Sequence, residues 1–495
     1  MDKKANWFAK ASDKIKSSVF ENRAWKFIKR PGVMTVQWEN SNTANALDTV
    51  LNFPGKIIRN IFDKTPEIFE SSLFFKLIKF ASDNLYILMA LFLAIAAVIP
   101  HLQWSNGFTV IASIALLFLH IIKSAIFKDE GFNIRAIDPT FLIYGLITLL
   151  AAVASTFAAA STLEFIKYHL PCYIFVVLIV SNINSKEKLG TFLTIFLVGV
   201  SISGIYGIIQ YINGIPVDPS QVDLSVFENP VGRVYSTMHN ANSYAEALML
   251  TLPFFAGMFF CSKNLKGKIF YAIMAVPPFI AFMLTQSRTG YVSLAVAVVV
   301  FLFFKNRKLI LIVIPAGLAV IPFLPRFLYE RVLSIFRKGW DTTVGARKIV
   351  FETALKIIRD FWLSGVGVGV TPFIHYSYKY KIGLPLPHSH NVYLEVWLET
   401  GIIGLISFLW LNIRLFKNSV LNIAKNTDIY ISNLLIAAIS ALTGILVFSL
   451  AEYVWFYPRV LLYYWVLVGI ILSGLDINKK KVSTDVQFNE EVQKD

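Results

Sequence analysis

The stretch PHSHNVYLEVWLETGIIGLISFLWL, residues Pro387–Leu411, sets four titratable side chains directly before an apolar run. His388, His390, Glu395 and Glu399 fall in its first half, and its second half is almost entirely apolar. An apolar run of this kind is typical of a membrane-spanning helix. A metal site, a proton relay and a catalytic site facing a lipid-borne substrate all fit charged groups at the mouth of such a helix.

The composition indicates a polytopic membrane protein. Of the 495 residues, 56% are hydrophobic and 16% are charged, whereas soluble domains have roughly 45–50% apolar and about 25% charged residues. Cys172 and Cys261 both lie in apolar runs and give neither a disulfide framework nor a thiolate metal site. The net charge of +15 has no basic stripe interleaved with aromatic residues. We therefore expect no nucleic-acid partner and assign most of this charge to cytoplasmic loops.

Twelve apolar stretches are candidate spans, because a spanning helix needs ~20 mostly apolar residues. They lie near 85–100, 107–127, 138–158, 165–182, 189–212, 241–261, 269–286, 289–304, 308–324, 392–415, 430–450 and 455–474. The predicted fold is all-α, a polytopic transmembrane helical bundle of about twelve spans. Lys and Arg follow every even-numbered span. By the positive-inside rule we expect a multi-pass protein of the cell membrane with both termini in the cytoplasm.

The segments outside the spans divide the chain into three parts. Residues 1–84 are expected to form a cytoplasmic arm, partly disordered, with an interfacial helix at 71–81. Residues 85–474 form the transmembrane domain, and 475–495 form a cytoplasmic tail of the same disordered kind. One large extracytoplasmic loop, 325–389, has ten Lys/Arg against four Asp/Glu. Outer loops usually lack such an excess, so a polyanionic substrate on that side would explain it.

The large loop contains an amphipathic helix. The segment Thr343–Gly365 has helical periodicity, which predicts a helix along the membrane surface or over a cavity. Its apolar stripe is expected to comprise Ile349, Ala354, Leu355, Ile358 and Trp362. The GVGVG sequence that follows is interpreted as a flexible turn, since no strand precedes it and no GK[ST] follows.

Two arginines are candidate anion-binding residues. Arg288 lies in LTQSRTGYVSL, between the seventh and eighth spans, where an arginine is costly unless paired or hydrated. Binding and snorkelling to lipid headgroups are equally open for Arg288. Arg347 opens the loop helix, and a guanidinium fits phosphate oxygens bidentately. Two arginines converging from different loops would clamp a diphosphate, whereas Arg347 alone would be a solvated charge.

The stretch STMHNANSYAEALML leads into the sixth span. His239 and Asn242 precede this span, and Glu246 lies about one turn inside it. Asn242 and Ser243 are expected to cap the helix, and an exposed helix N-terminus also attracts anions. Glu246 within a span is costly unless hydrated.

In the opening stretch, Ser389 is taken as the helix cap. Asn391, Glu395 and Glu399 then fall four residues apart on one helical face, with His390 at the mouth. The HxH pair could ligate zinc, but no third ligand stands at a recognisable spacing, so no metal is expected. A histidine titrating near neutral pH can act as acid or base.

The last outer turn, AEYVWFYPR, carries Glu452 and Arg459. These opposite charges could pair with each other. A structural role is the stronger interpretation, and neither is among the predicted site residues.

Four stretches of the chain, taken in their order along the sequence, resemble the O-antigen ligase and polymerase superfamily of bacterial membrane glycosyltransferases. They are HNANSYA, TQSRTGY, GARKIVFETALKIIRDFWLSGVGVG and HSHNVYLEVWLETGIIGL, and they cover roughly residues 232–405. Any one stretch is weakly specific, and the ordered set is fairly specific. The chain departs from the family pattern by its long N-terminal arm, a candidate partner-recruiting segment, and by a second histidine, His388.

The resemblance implies an inverting, metal-independent glycosyl transfer without a cofactor. The implied donor is a glycan on undecaprenyl diphosphate at the outer face, and the acceptor is another glycan, a lipid or a surface molecule. Arg288 and Arg347 would hold the diphosphate. His390 would activate the acceptor hydroxyl or bind the diphosphate, and Glu395 or Glu246 would orient it or serve as base. The implied catalytic residues are His390, Arg288 and Arg347, and the substrate-binding residues are Asn391, Glu395, Glu246, His239, Asn242 and His388.

The predicted function is therefore a surface polysaccharide polymerase, with a ligase as the alternative. Lys/Asn/Ile-rich usage is typical of a low-GC genome and favours the polymerase. A transporter would place its charges near the bilayer midplane at a repeat interface, whereas the candidates here cluster at span ends. A scaffold would leave Arg288 and the glutamates unexplained. Membrane lipids and other polysaccharide-assembly proteins are further expected partners.

Overall fold

The computed structural model describes residues 33–64, 67, 71–128, 130–217, 231–335, 342–380, 387–425 and 428–492. Every regular element within these ranges is a helix. The predicted all-α class is therefore confirmed. Several of these helices begin at the side-chain cap that the sequence supplies, such as Ser41, Asp138 and Ser287.

The helices of the described ranges follow one another along the chain, joined by turns and short 3₁₀ segments. They are α1 (Val33–Glu39), α2 (Asn42–Phe62), α3 (Leu73–Asp83), α4 (Leu85–Val98), α5 (Gly107–Ile126), α6 (Pro139–Val153), α7 (Ala158–Asn182), α8 (Lys186–Ile212), α9 (Ala241–Cys261), α10 (Leu265–Leu284), α11 (Arg288–Asn306), α12 (Ile310–Val320), α13 (Arg326–Leu333), α14 (Thr342–Phe361), α15 (Val370–Lys379), α16 (Val392–Lys425), α17 (Ile429–Phe448) and α18 (Pro458–Val492).

Eight of the described helices are long and apolar enough to cross a membrane, namely α5, α7, α8, α9, α10, α16, α17 and α18. A ninth span arises if α3 and α4, which meet at a bend of 73°, are counted together. The candidate stretches 138–158, 289–304 and 308–324 form α6, α11 and α12, which are not among the eight. At 1.5 Å per residue, α6 is about 22 Å long, short of a ~30 Å hydrocarbon core. A multi-pass membrane protein is confirmed, and the count of twelve spans is not.

Helices α9, α17 and α18 form the interior of the bundle. Within each of their spans 83% of the residues are buried, against 22% for α10 at the periphery. Gly257 of α9 allows a close approach to α17, because a Cβ there would lie 2.8 Å from the Cβ of Ala437. The start of α9, the end of α17 and the start of α18 therefore meet at one end of the bundle. The polar motif residues lie at this end.

Helix α16 is broken at Gly401, where the backbone adopts φ +73°. The turn after α14 docks at this break and satisfies the exposed backbone groups. Its bonds run from the N–H of Val366 to Leu398 O (2.8 Å), of Gly367 to Glu399 O (3.1 Å), and of Ile402 to Trp362 O (2.9 Å). A Cβ on Gly401 would lie 1.9 Å from the carbonyl oxygen of Leu363. The turn expected to be flexible is therefore bonded in place.

The predicted loop helix is confirmed as α14, but its buried face differs from the predicted stripe. Ile349, Leu355 and Trp362 are about half exposed. The buried apolar residues are Val350, Ala354, Ile357 and Ile358. This i, i+4, i+7, i+8 set packs against Phe373 of α15 and Leu398 of α16. The buried face is set by these two partners, which the periodicity of α14 alone does not reveal.

The N-terminal arm is helical over Val33–Glu39 and Asn42–Phe62, where partial disorder was expected. Asn52 of α2 accepts a hydrogen bond from the N–H of Phe132 at 2.8 Å. Gly55 lies so close to α5 that a Cβ would meet the hydroxyl of Ser124 at 2.0 Å. These contacts hold α2 against the bundle.

The helix predicted at 71–81 is present as α3, and its place at the membrane surface stays a prediction. Residues 1–32 lie outside the described ranges. At the other terminus α18 continues to Val492. The interpretation of the tail as disordered is therefore wrong for 475–492. Lys479 of this helix pairs with Glu39 of α1, and Lys480 pairs with Asp476 at 2.7 Å.

Candidate functional site

Three turns at one end of the bundle hold a residue other than glycine in left-handed backbone. These residues are Ser236 (φ +49°), Gln286 (φ +51°) and His390 (φ +53°), and no other described non-glycine residue has a positive φ. Each lies shortly before the start of α9, α11 or α16. Such backbone costs of order 1–3 kcal/mol, persists where the surroundings impose it, and clusters at functional sites. The three turns belong to the stretches STMHNANSYAEALML, LTQSRTGYVSL and PHSHNVYLEVWLETG that the sequence singled out.

Glu452 lies at the centre of these turns. It follows α17 and is only 6% exposed. Its Oε1 accepts hydrogen bonds from Asn242 Nδ2 at 2.8 Å and from the guanidinium of Arg347. Its Oε2 lies 3.2 Å from His390 Nδ1. One carboxylate thus brings together three predicted site residues from α9, α14 and the turn before α16.

The turn that carries Glu452 is fastened to the start of α16. Asn391 donates from its side-chain amide to the carbonyl oxygen of Leu450 at 2.8 Å. The N–H of Val392 donates to the carbonyl oxygen of Ser449 at 3.1 Å. Predicted substrate-binding residue Asn391 therefore holds two backbone segments in register.

The helix caps differ from those predicted. Asn391 caps α16, accepting from the N–H of Leu394 at 3.0 Å, so Ser389 is not the cap. The left-handed His390 turns the chain so that the N–H of Ser389 donates to buried Glu395 at 2.6 Å instead. Glu395 therefore supports the histidine turn from beneath.

Asn240 caps α9, accepting from the N–H of Ser243 at 2.9 Å. The predicted capping role of Asn242 is therefore wrong. Its side chain bridges two charges instead, since it donates to Glu452 and accepts from Arg233 at 2.5 Å.

Two buried arginines brace the TQSR turn. Arg233 donates from Nε to the carbonyl oxygen of Thr285 at 2.8 Å. Arg331 donates from Nε to the carbonyl oxygen of Gln286 at 2.8 Å. Burial lowers the pKa of Arg233 to about 10, and the nearby charge of Glu452 opposes this shift. Arg233 remains a cation at neutral pH.

Arg288 opens α11 directly after this turn and is half-buried. The charges of Arg288 and Arg347 both lie close enough to lower the pKa of Arg233. Three guanidinium groups therefore share one electrostatic neighbourhood with Glu452. Like charges held together in this way are complementary to a polyanionic group.

The second histidine lies against the first. His388 is buried, its ring centroid is 4.3 Å from that of His390, and its Nδ1 accepts the N–H of His390 at 3.2 Å. Burial is the largest cause that lowers the pKa of His388 well below its usual value, and His390 and Arg347 add to it. His388 is therefore neutral and serves as an acceptor for the His390 backbone.

Two further predicted residues lie apart from this hydrogen-bonded cluster. Glu246 is buried in α9, and its Oε2 has no hydrogen-bond partner within the described part of the chain. His239 is exposed and contacts the rings of His101 (5.2 Å) and Tyr457 (5.6 Å) rather than Glu452.

Glu452 and Arg459 do not pair. Arg459 donates to the carbonyl oxygens of Ala96, Ile99 and Thr237. A structural role is thus confirmed for Arg459. Glu452, for which a structural role was also expected, lies at the centre of the candidate site instead. The local signal for Glu452 is an acid just beyond the end of a span, which is weaker than an acid within a span such as Glu246. Arg233 was missed because it stands outside the quoted motifs.

The arrangement offers a carboxylate–histidine pair beside several guanidinium groups. If His390 donates Nδ1–H to Glu452, its Nε2 is left as a proton acceptor. Within the described residues no group of three or more His, Cys, Asp or Glu side chains is placed to hold a metal ion. The chemistry that this geometry can carry is proton abstraction next to a bound polyanion.

Comparison with known proteins gives a family match for the middle of the chain. Residues 273–409 match the family model of the O-antigen ligase, which confirms the family resemblance. An uncharacterized protein of Haemophilus influenzae is 30% identical over 172 residues, which cover 30% of this chain and 43% of that protein. The chain thus spans less than half the length of this relative. The matched family segment includes Arg288, Arg347 and His390, whereas Asn242 and Glu452 lie outside it.

Proposed function

We propose that this chain, assigned by residues 273–409 to the O-antigen ligase and polymerase family, is an inverting glycosyltransferase of surface-polysaccharide assembly. The donor is a glycan on undecaprenyl diphosphate, and the reaction takes place at the outer face of the cytoplasmic membrane. The observation that carries the proposal is the convergence of His390, Arg347 and Asn242 on Glu452, beside Arg233 and Arg288.

In the proposed reaction an acceptor hydroxyl attacks the anomeric carbon of the donor glycan. The bond from that carbon to the diphosphate oxygen breaks, and the leaving diphosphate takes the bonding pair. His390 Nε2 accepts the hydroxyl proton, and Glu452 stabilises the imidazolium that results. Arg288 and Arg347 stabilise the charge on the diphosphate. No redox partner or metal is required by this balance.

Arg347 has two competing anionic partners in this scheme. Its guanidinium bonds to Glu452 in the structure. A diphosphate offers more negative charge than one carboxylate, so donor binding is expected to draw Arg347 away. Glu452 would then interact only with His390 and Asn242 among these three partners, which strengthens its hydrogen bond with the catalytic histidine.

Of the two activities, we favour the polymerase over the ligase. The test is to measure the size of the lipid-linked glycans by mass spectrometry in cells that carry His390→Ala. Single repeat units accumulating on undecaprenyl diphosphate would establish a polymerase. Full-length chains trapped on the lipid would establish a ligase instead. The matched control is His375→Ala, because His375 is an exposed histidine of α15 in the same loop.

The control variant should leave the lipid-linked pool as it is in the wild type. If His390→Ala also leaves the pool unchanged while the protein remains folded in the membrane, the glycosyltransferase is refuted. A lipid-linked glycan transporter would then become the better explanation.

A further inference from the structure

A polar cavity of about 410 Å³ lies at the opposite end of the bundle from Glu452. It is formed between α2, the end of α5 and the later part of α18. Along α18, Lys480 stands 22 residues after Pro458, which corresponds to about 33 Å of helix. This separation matches a hydrocarbon core of ~30 Å. The cavity and the Glu452 cluster therefore belong to opposite membrane faces.

The cavity is lined by more positive than negative side chains. The cations are Lys56, Arg59, Lys128 and Lys480, and the acids are Asp48 and Glu130. Glu130 is already paired with buried Lys123. Among the described residues, neither Lys56 nor Lys128 forms an ion pair with an acidic side chain. Both lysines are exposed at the cavity.

The cavity wall is a built structure rather than a scatter of surface lysines. Arg59 donates from Nε to the carbonyl oxygen of Ala125 at 3.1 Å and also bonds the carbonyl oxygen of Ser124. Asn52 fixes the loop after α5 through the N–H of Phe132. The last turn of α5 and the loop after it are thereby held against α2, so the lysines stand in a fixed frame.

Helices α2 and α3 expose apolar side chains beside this cavity. Val50, Phe53, Ile57 and Ile61 of α2 are 46–65% exposed, and Leu73, Phe74, Leu77 and Phe80 of α3 are 60–74% exposed. Phe62 and Phe75 join the two helices with ring centroids 5.3 Å apart. An amphipathic helix with lysines next to such a stripe is typical of one that lies in the interfacial region of a bilayer.

We propose that this cavity binds the phosphate headgroup of an anionic phospholipid, with Lys56 and Lys128 as the principal contacts. The apolar stripes of α2 and α3 place the cavity at headgroup depth, where a lipid phosphate meets the two lysines. Charge complementarity selects an anionic lipid over a zwitterionic one. The proposal stands independently of the glycosyltransferase, because it concerns the other membrane face and requires no turnover.

The test is lipid retention by native mass spectrometry. The full chain is purified from an equimolar mixture of phosphatidylglycerol and phosphatidylcholine, and the bound lipids are counted. The wild type should retain phosphatidylglycerol preferentially. Lys56→Gln combined with Lys128→Gln should weaken this retention roughly ten- to thirty-fold. The charge-preserving pair Lys56→Arg and Lys128→Arg should retain it.

The matched control is Lys263→Gln combined with Lys266→Gln. These lysines are exposed at the same end of the bundle, follow α9 and lie outside the cavity. If the control variant loses as much phosphatidylglycerol as the cavity variant, the retention reflects general surface charge and the proposed lipid site is overturned. No loss in the cavity variant would do the same. Displacement of phosphatidylglycerol by soluble glycerol phosphate would assign the cavity to a free phosphate ligand and overturn the lipid.

Discussion

At the scale of single residues, the site depends on a histidine that is held in an unfavourable backbone conformation. His390 has φ +53°, and its turn is fixed by Ser389, Asn391 and His388. This conformation directs Nδ1 to Glu452 at 3.2 Å. A carboxylate at that distance orients the ring and fixes which ring nitrogen faces away from it. Glu452 therefore has more influence on the proposed reaction than its place outside the motifs suggests.

We expect Glu452→Gln to lower glycan transfer by roughly 10²–10⁴-fold, the range for loss of general-base function. The amide keeps the size of the side chain and removes the charge that faces His390 and Arg347. The measurement is transfer from purified lipid-linked donor, with the thermal stability of the variant determined alongside. Glu452→Asp, which keeps the charge and shortens the reach, should recover part of the activity. A stable Gln variant with wild-type transfer would exclude Glu452 from the reaction.

The two histidines should respond differently to substitution. His390→Asn is expected to abolish transfer, since it removes the proton acceptor next to Glu452. His388→Asn should retain much of it, because an amide oxygen can still accept the N–H of His390, which His388 Nδ1 accepts at 3.2 Å. Transfer rates of both purified variants decide the matter. The reverse order of activities would make His388 the catalytic histidine.

The sequence predicted the motif residues because each is unusual in its own stretch. Arg288 among apolar neighbours and His390 before a span stand out locally. Glu452 and Arg233 gain their significance only from neighbours that are distant in the chain. Asn242 lies 210 positions from Glu452. A local pattern cannot reveal such a pairing.

At the scale of elements, the break in α16 depends on contacts with a segment that is distant in the chain. Gly401 lets the backbone leave helical geometry, and the turn after α14 supplies partners for the exposed peptide groups. The loop helices and the span that follows His390 are therefore coupled. Glu399 strengthens this coupling, since its Oε1 accepts the N–H of Gly369 at 2.8 Å.

Gly401→Ala should destabilise the protein strongly. A left-handed non-glycine residue costs of order 1–3 kcal/mol, and the added Cβ would in addition collide with the carbonyl oxygen of Leu363. We expect a clear fall in melting temperature in detergent, with lower transfer activity. The control is Gly317→Ala in α12, where nothing lies within 4 Å of an added Cβ.

Gly317→Ala should be neutral or stabilising by up to about 1 kcal/mol, the helix propensity difference between the two residues. Equal melting temperatures for Gly401→Ala and the wild type would show that the break is not required. The comparison separates the local conformation from any general effect of replacing glycine.

Elements were easier to predict from the sequence than the faces they bury. Each of the twelve apolar stretches contains a helix, because long apolar runs satisfy their backbone internally. The buried face of α14 was misplaced, since it is set by Phe373 and Leu398 from other helices. The order of residues 33–62 was missed because α2 is stabilised by contacts with α5 and its following loop, which are distant in the chain.

At the scale of the whole molecule, the two ends of the bundle carry different chemistry. One end holds Glu452 with the guanidinium groups, and the other holds the lysine-lined cavity beneath α2. The ends are separated by about 33 Å along α18, close to the thickness of a hydrocarbon core. A protein with this asymmetry has one functional orientation, and the proposed donor reaches the site only if the Glu452 end faces outward.

This orientation is tested by labelling single cysteines with a membrane-impermeant maleimide in spheroplasts. The background carries Cys172→Ser and Cys261→Ser. Arg359→Cys in α14, where the native side chain is 80% exposed, should react before the membrane is permeabilised. Lys266→Cys, exposed after the opposite end of α9, should react only afterwards, because the bilayer excludes the reagent. The reverse pattern would place the Glu452 cluster in the cytoplasm, where the undecaprenyl-linked donor proposed for the outer face could not meet it, and the proposed function would have to be abandoned together with the orientation.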